Sequence, residues 1–445
     1  MSSFASRYSR SIRLLSAYLL FLGINFNYLQ RLELIPALLP DRPSKLLSIL
    51  FLLTVPSVFM GIKKILPRKS FFNYFILWSF VLTIISFLSA KFLDISTPFS
   101  VEARLIEQLT GFICAVCIGH YSFIAFIRFP FLLKRILLYS LYLVFVGILI
   151  QFLFGGFDTV VSSRLFGMSG EPKGLALFMV PFVFALFLGQ SFNKPFTLII
   201  LSISLLSMLF TQSATAFWAL LLLAIIATLI SVHTIHKKLL YLWLLISSLI
   251  LVIINNSKFY DGIFVRIFNY LEGVKVLGIQ ETFNFPFIGN IVVEANELPL
   301  LLHFENFPLF IFTGLGLGQE STWCIGYIEQ LGGIGFLGRD YVGYISPNSA
   351  LLANIGTYGL IFLVLVFAIS IHHFTFIYKK IHDPDRLFAL NVVSANLVTS
   401  LFVFQTSFPM VAAFTFICLL YSYLRNASDQ NNLPLDLLPF GQGGM

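Results

Sequence analysis

Apolar residues along this chain gather into runs of about 17–23, each closed off by a polar or glycine-containing connection. A helix rises about 1.5 Å per residue, so a run of about 20 crosses a hydrocarbon layer roughly 30 Å thick. The pattern predicts about twelve transmembrane helices, near 12–29, 46–62, 71–90, 106–127, 136–154, 174–190, 195–211, 214–232, 239–254, 349–371, 387–404 and 408–424. Only 405–407 separates the last two. The expected fold class is therefore an all-α polytopic membrane protein. It divides into helices 1–9 over 1–256, one large loop with short helices over 257–347, helices 10–12 over 348–425, and a flexible tail over 426–445.

Composition agrees with this pattern. Hydrophobic residues make up 58% of the chain and charged residues only 11%, with a mean hydropathy of +0.91. Soluble proteins carry about 25% charged residues, so lipid is the expected solvent. The net charge of +8 sits in short connections rather than in a basic patch interleaved with aromatics, and no nucleic-acid partner is expected. Putting the N-terminus inside gives the inner segments 17 of the 28 basic residues but only four of the 20 acidic ones. By the positive-inside rule this predicts an N-in, C-in protein, with the large loop and the shorter 155–173 segment on the non-cytoplasmic side. The basic stretch before the first run lacks a nearby small-residue cleavage site and reads as the start of an uncleaved first span. Cys114 and Cys117 share one apolar helix and read as buried thiols; Cys324 is alone in the loop, so no disulfide framework is expected.

The loop carries the unusual chemistry. It holds four basic and nine acidic residues and is rich in Gly, Phe and Asn, a content that argues for a folded element. Within it, 261–277 has helical periodicity and predicts an interfacial amphipathic helix with Arg266 away from lipid. Glu294, Glu297, Glu305, Glu320, Glu329 and Asp340 are carboxylates available to a general base, and the sequence does not rank them. Trp323, Tyr327, Tyr341 and Tyr344 suit either stacking on sugar faces or interfacial anchoring. The run Gly314-Leu-Gly-Leu-Gly318 lacks the strand–helix context of a nucleotide turn. No residue cluster demands a metal, and no cofactor is expected. The spans are nearly free of the buried charges that proton-coupled transporters use. His120 and the Asn391, Ser394, Asn396 group read as structural hydrogen-bonding residues.

The segment leading into the sixth span reads Arg164-Leu-Phe-Gly-Met-Ser-Gly-Glu-Pro-Lys-Gly-Leu-Ala176. Two cations, a flexible backbone and a helix N-terminus suit a phosphate group; snorkelling cations at the interface would look the same. Here the sequence resembles the O-antigen polymerase and O-antigen ligase superfamily. The resemblance lies in Arg164-Leu-Phe-Gly167 followed by Pro172-Lys-Gly-Leu-Ala176, in Thr211-Gln-Ser-Ala-Thr215, and in Arg266 with Tyr270. It continues through Pro308-Leu-Phe-Ile-Phe-Thr-Gly-Leu-Gly-Leu-Gly318 and Pro347-Asn-Ser-Ala-Leu-Leu-Ala-Asn-Ile-Gly-Thr-Tyr-Gly359. It covers about residues 160–370. Two positions depart from the pattern: Ala214 stands where the family has Arg, and Pro347 where ligases have a His near the acceptor.

The resemblance implies a GT-C-like membrane glycosyltransferase, a polymerase of polyprenyl-diphosphate-linked repeat units. Its partners would be lipid-linked glycan donor and acceptor, membrane lipid, and a chain-length regulator. An O-antigen ligase, or a lipid-linked oligosaccharide flippase or other transporter, is the alternative. Arg164 and Arg266 are the implied catalytic diphosphate ligands. Lys173, Arg339, His303 and Tyr344 are further substrate-binding candidates, with His303 standing in for the missing ligase His.

Overall fold

The computed structural model describes residues 54–97, 100–162, 165, 172–189, 195–230, 236–255, 260, 265, 280–285, 289–294, 297–330, 350–403 and 407–430. The first helices are α1 (Val55–Ile65), α2 (Phe71–Phe92), α3 (Val101–Arg128), α4 (Pro130–Ser162), α5 (Pro172–Gly189), α6 (Pro195–Phe210), α7 (Ala214–Ile230) and α8 (His236–Asn255). A strand pair β1 (Gln280–Phe285) and β2 (Gly289–Glu294) follows. Then come the short helices α9 (Leu298–Asn306), α10 (Leu309–Thr313), α11 (Glu320–Trp323) and α12 (Ile325–Gln330). The chain continues with α13 (Ala350–Tyr358), α14 (Leu360–Lys380), α15 (Pro384–Phe402) and α16 (Ser407–Gln430).

Among the described residues five helices are long and apolar enough to cross a membrane: α2, α3, the Pro130–Phe154 part of α4, α14, and the Phe408–Ala427 part of α16. Shorter apolar helices lie at Gly174–Leu188, Thr197–Phe210, Ala214–Leu229 and Leu239–Asn255. The chain is thus a helical, membrane-embedded protein. Local chemistry sets several helix starts. Ser70 Oγ accepts from Asn73 N ahead of α2, and Ser100 Oγ accepts from Ala103 N ahead of α3. Asp383 precedes Pro384, whose missing N–H is harmless at the first helical position.

The core is built where α3 packs along α16 and α5 along α15. Gly119 allows the first contact, since a Cβ there would lie 2.6 Å from Thr415 Cβ. α15 is buried on all sides, from Phe388 through Leu401, whereas α2 and α14 leave Leu77, Ile84, Ile361 and Val364 exposed for lipid. One end of the bundle is tied by Lys134 Nζ to Asp385 Oδ1 at 2.7 Å and by Arg386 Nη2 donating to Ile127 O at 3.4 Å. The 128–135 and 381–386 connections therefore share that end, and the described residues Gly314–Trp323 of the large loop pack at the other.

Three features differ from the apolar-run reading. The predicted 349–371 span is broken at Gly359, and the lipid-facing helix is Leu360–Lys380. The loop holds an antiparallel hairpin, Gln280 opposite Glu294 through Phe285 opposite Gly289, besides short helices. Helix α16 continues to Gln430, into the stretch read as tail. The predicted span 12–29, the first part of 46–62 and nearly all of the amphipathic 261–277 lie outside the described residues.

Candidate functional site

The site begins at a helix end. The last carbonyls of α13 have no partner within the helix, and a break buried at that point has to satisfy them from elsewhere. The run Gly314–Gly318 does so: Leu315 N donates to Gly356 O at 2.7 Å and Gly316 N to Thr357 O at 3.1 Å. Four glycines make the approach possible. Gly314, Gly316, Gly318 and Gly359 have φ of 77°, 97°, 70° and 82°, a region L side chains rarely enter. A Cβ on Gly316 would lie 2.7 Å from Thr83 Cα, and one on Gly318 2.5 Å from Gln108 Cγ. The glycines thus serve close backbone packing. Leu317 N donates to Thr83 Oγ1 at 2.9 Å, and Trp323 Nε1 to Ser86 Oγ at 2.7 Å, which fixes the run onto α2.

This seating carries the next four residues, Gln319 to Thr322, into the interior, all of them buried. Glu320 is only 9% exposed and lies beside Gly356 of α13. Arg104, one turn into α3 and mostly buried, faces the same region: a Cβ on Gly318 would be 3.4 Å from its Nε. Its Nη1 is 3.0 Å from Glu107 Oε2. With the Gln108 amide turned oxygen-first, the guanidinium also donates to it at 2.8 and 3.2 Å. Burial pushes the Glu320 carboxyl above the usual carboxylate range; the Arg104 charge and the Glu320 backbone N–H pull it back less strongly. Among the described residues, Glu320 Oε2, both Gln319 amide atoms and Thr322 Oγ1 are buried without a hydrogen-bond partner. Such groups are costly to leave unpaired, so a concentration of them is a feature of function or of bound solvent. Chemically, the arrangement offers an acid–base carboxyl held out of water beside a fixed cation.

His303 on α9 is 2% exposed and enclosed by aromatic rings. It stacks on Phe310 at 5.3 Å and meets Tyr327 edge-on at 5.9 Å, with Phe307 and Trp323 completing the enclosure. Neither ring nitrogen has a partner among the described residues, and burial lowers its pKa to about 4. The ring is therefore neutral at neutral pH. Because the unfolded chain binds this proton at about pH 6.5 and the folded chain only at about pH 4, stability falls as pH drops through that interval. We expect His303→Phe to remove this slope from a series of melting curves between pH 4 and 7, because a phenyl ring fits the same aromatic surroundings.

Of the residues singled out from sequence, Arg164, Arg266, Arg339 and Tyr344 lie outside the described residues. Lys173 is the second residue of α5, at its N-terminus. The residue after Arg164 is described: Leu165 is buried, and its N donates to Phe210 O at 3.0 Å. That bond holds Leu165 at the end of α6, just before the Thr211–Ser213 turn, where Gln212 takes φ 49° and Ser213 precedes α7. Among the candidate carboxylates, Glu320 is buried, Glu297 half-buried and Glu305 exposed. Sequence reading missed Arg104. Its signal was the spacing Arg104, Glu107, Gln108 on one helical face just inside an apolar run. No family model matches the chain, and no curated protein matches it.

Proposed function

We propose that this chain is a polysaccharide polymerase of the bacterial inner membrane. It would have about twelve spans, N-in and C-in, and join polyprenyl-diphosphate-linked repeat units at the periplasmic face by inverting glycosyl transfer. One observation carries the reading beyond resemblance. Two stretches of the resemblance that are distant in sequence meet, Gly314–Gly316 with Gly356–Gly359, and Leu165 of a third bonds to Phe210, the residue just before a fourth.

Nucleotide sugars are absent outside the cytoplasm, so the donor's energy resides in a sugar–diphosphate bond. An acceptor hydroxyl attacks the anomeric carbon, the bond to the diphosphate oxygen breaks, and the lipid diphosphate leaves with the electron pair. Negative charge grows on that leaving group, and guanidinium groups suit it because they bind phosphate oxygens in pairs. Arg164 and Arg266 are assigned this role. Lys173 at the α5 N-terminus and Arg339 assist, and Tyr344 stacks on sugar. The acceptor proton goes to a carboxylate, and the burial of Glu320 makes it the first choice.

Arg164→Ala or Arg266→Ala is expected to lower polymerisation roughly 10²- to 10³-fold, with normal insertion, so that cells display single repeat units in place of a long glycan ladder. Loss of all surface glycan would point to translocation instead. Polymer retained on the lipid carrier would point to a ligase.

A further inference from the structure

Hydropathy places the whole 257–347 stretch outside the bilayer, but the contacts of its middle part lie deeper. The outer end of α2 is marked by the half-exposed ion pair of Lys91 with Glu102. Thr83, which receives Leu317 N, is eight residues further in, about 12 Å along the helix. Gly314 packs against Gly359, the residue before α14, and α10 packs on α14 itself. Helix α14 has 21 residues, a length of about 31 Å that by itself matches the hydrocarbon core. The segment from Phe307 to Gly318 therefore lies alongside the outer half of membrane helices.

Two further observations fit that depth. No charged residue occurs between Glu305 and Glu320. Irregular backbone is tolerated within a bilayer only where its polar groups are paired inside the protein. Here Gly314 N donates to Phe310 O, Leu315 N to Gly356 O, Gly316 N to Thr357 O and Leu317 N to Thr83 Oγ1. The outward side of the segment is apolar: Phe307 is 52%, Leu309 69% and Phe312 47% exposed. In water that face would be a liability. Here it continues the exposed apolar face of α14 at Ile361 and Val364.

We infer that residues 307–318 form a re-entrant element that dips into the outer leaflet, with Phe307, Leu309 and Phe312 against lipid acyl chains. This placement rests on the orientation proposed above but not on the reaction. It is tested on the full chain in liposomes, with Leu309→Cys and Phe312→Cys carrying an environment-sensitive fluorophore and Glu305→Cys as the reference. The unsubstituted protein, whose four cysteines are all buried, sets the labelling background. The labels at 309 and 312 are expected to lose most of their emission to lipids brominated on the acyl chains and little to aqueous iodide; the label at 305 should do the reverse. Iodide quenching at 309 and 312 as strong as at 305 would overturn the inference, because the element would then stand in water. Protection from both quenchers would overturn it equally, since protein rather than lipid would then cover the face.

Discussion

Gly359→Ala is expected to destabilise the end of the bundle that holds the glycine run by about 2–5 kcal/mol, from about 1–2 for the left-handed backbone and about 1–3 for the overpacking. The residue sits at φ 82°, and an added Cβ would fall onto Phe312 O, 2.5 Å from Thr313 C and 2.8 Å from Gly314 N. All three are backbone atoms, so no side chain can swing aside. Relief by withdrawal of the glycine run from α13 would leave the carbonyls of Gly356 and Thr357 unpaired and release Leu317 from Thr83. The control is Gly326→Ala. Gly326 is helical, and its Cβ would meet nothing within 4 Å. That change should be neutral or add about 0.4–1 kcal/mol. Melting in detergent of the two variants beside the parent protein gives the comparison. Equal midpoints for both would mean that the Gly314–Gly359 contact does not hold the break together.

The second large effect concerns Arg104. Losing the partner of a buried polar group costs about 1–3 kcal/mol, and the Gln108 amide loses its donor in Arg104→Ala. Arg104→Ala strips Glu320 of its facing cation and also breaks the contacts to Glu107 and Gln108. The loss at Glu320 depends on pH, and the double variant below separates it from the loss at Glu107. A carboxyl whose folded pKa is raised contributes stability in acid, present in full below about 4.5 and lost as pH rises through its folded value. Without Arg104 that value rises further, so the variant's deficit should be largest in neutral to alkaline solution and shrink in acid. Arg104→Ala combined with Glu320→Gln should recover part of the neutral-pH loss, a coupling that a double-mutant cycle measures. A deficit independent of pH, with no recovery in the double variant, would place Arg104 and Glu320 in separate environments.

Most of the helical framework was legible because lipid imposes a length. The runs at 71–90, 106–127 and 239–254 each coincide with a helix, since about 20 apolar residues satisfy both backbone and solvent at once. The break inside 349–371 was not legible. Its cause is a contact between Gly359 and Gly314, far apart in sequence, and hydropathy averages over a glycine without registering its φ. The candidate site was legible only as a set of parts. Glu320 was one carboxylate among six, and Arg104 looked like any cation near an interface. Burial ranks Glu320, and that burial depends on how the glycine run is seated on α2 and α13. The pairing of Leu165 with Phe210 was likewise hidden, because a single backbone hydrogen bond leaves no mark on residue choice.

The enclosure of α15 by its neighbours has a consequence for biogenesis. This helix carries Asn391, Ser394, Thr399 and Ser400 and is absent from the helices apolar enough to cross a bilayer unaided. A translocation channel offering it to lipid alone would find a poor substrate. Its entry depends on partners, α5 already in place and α16 emerging just behind it, so the two last helices should leave the channel as a hairpin rather than one after the other.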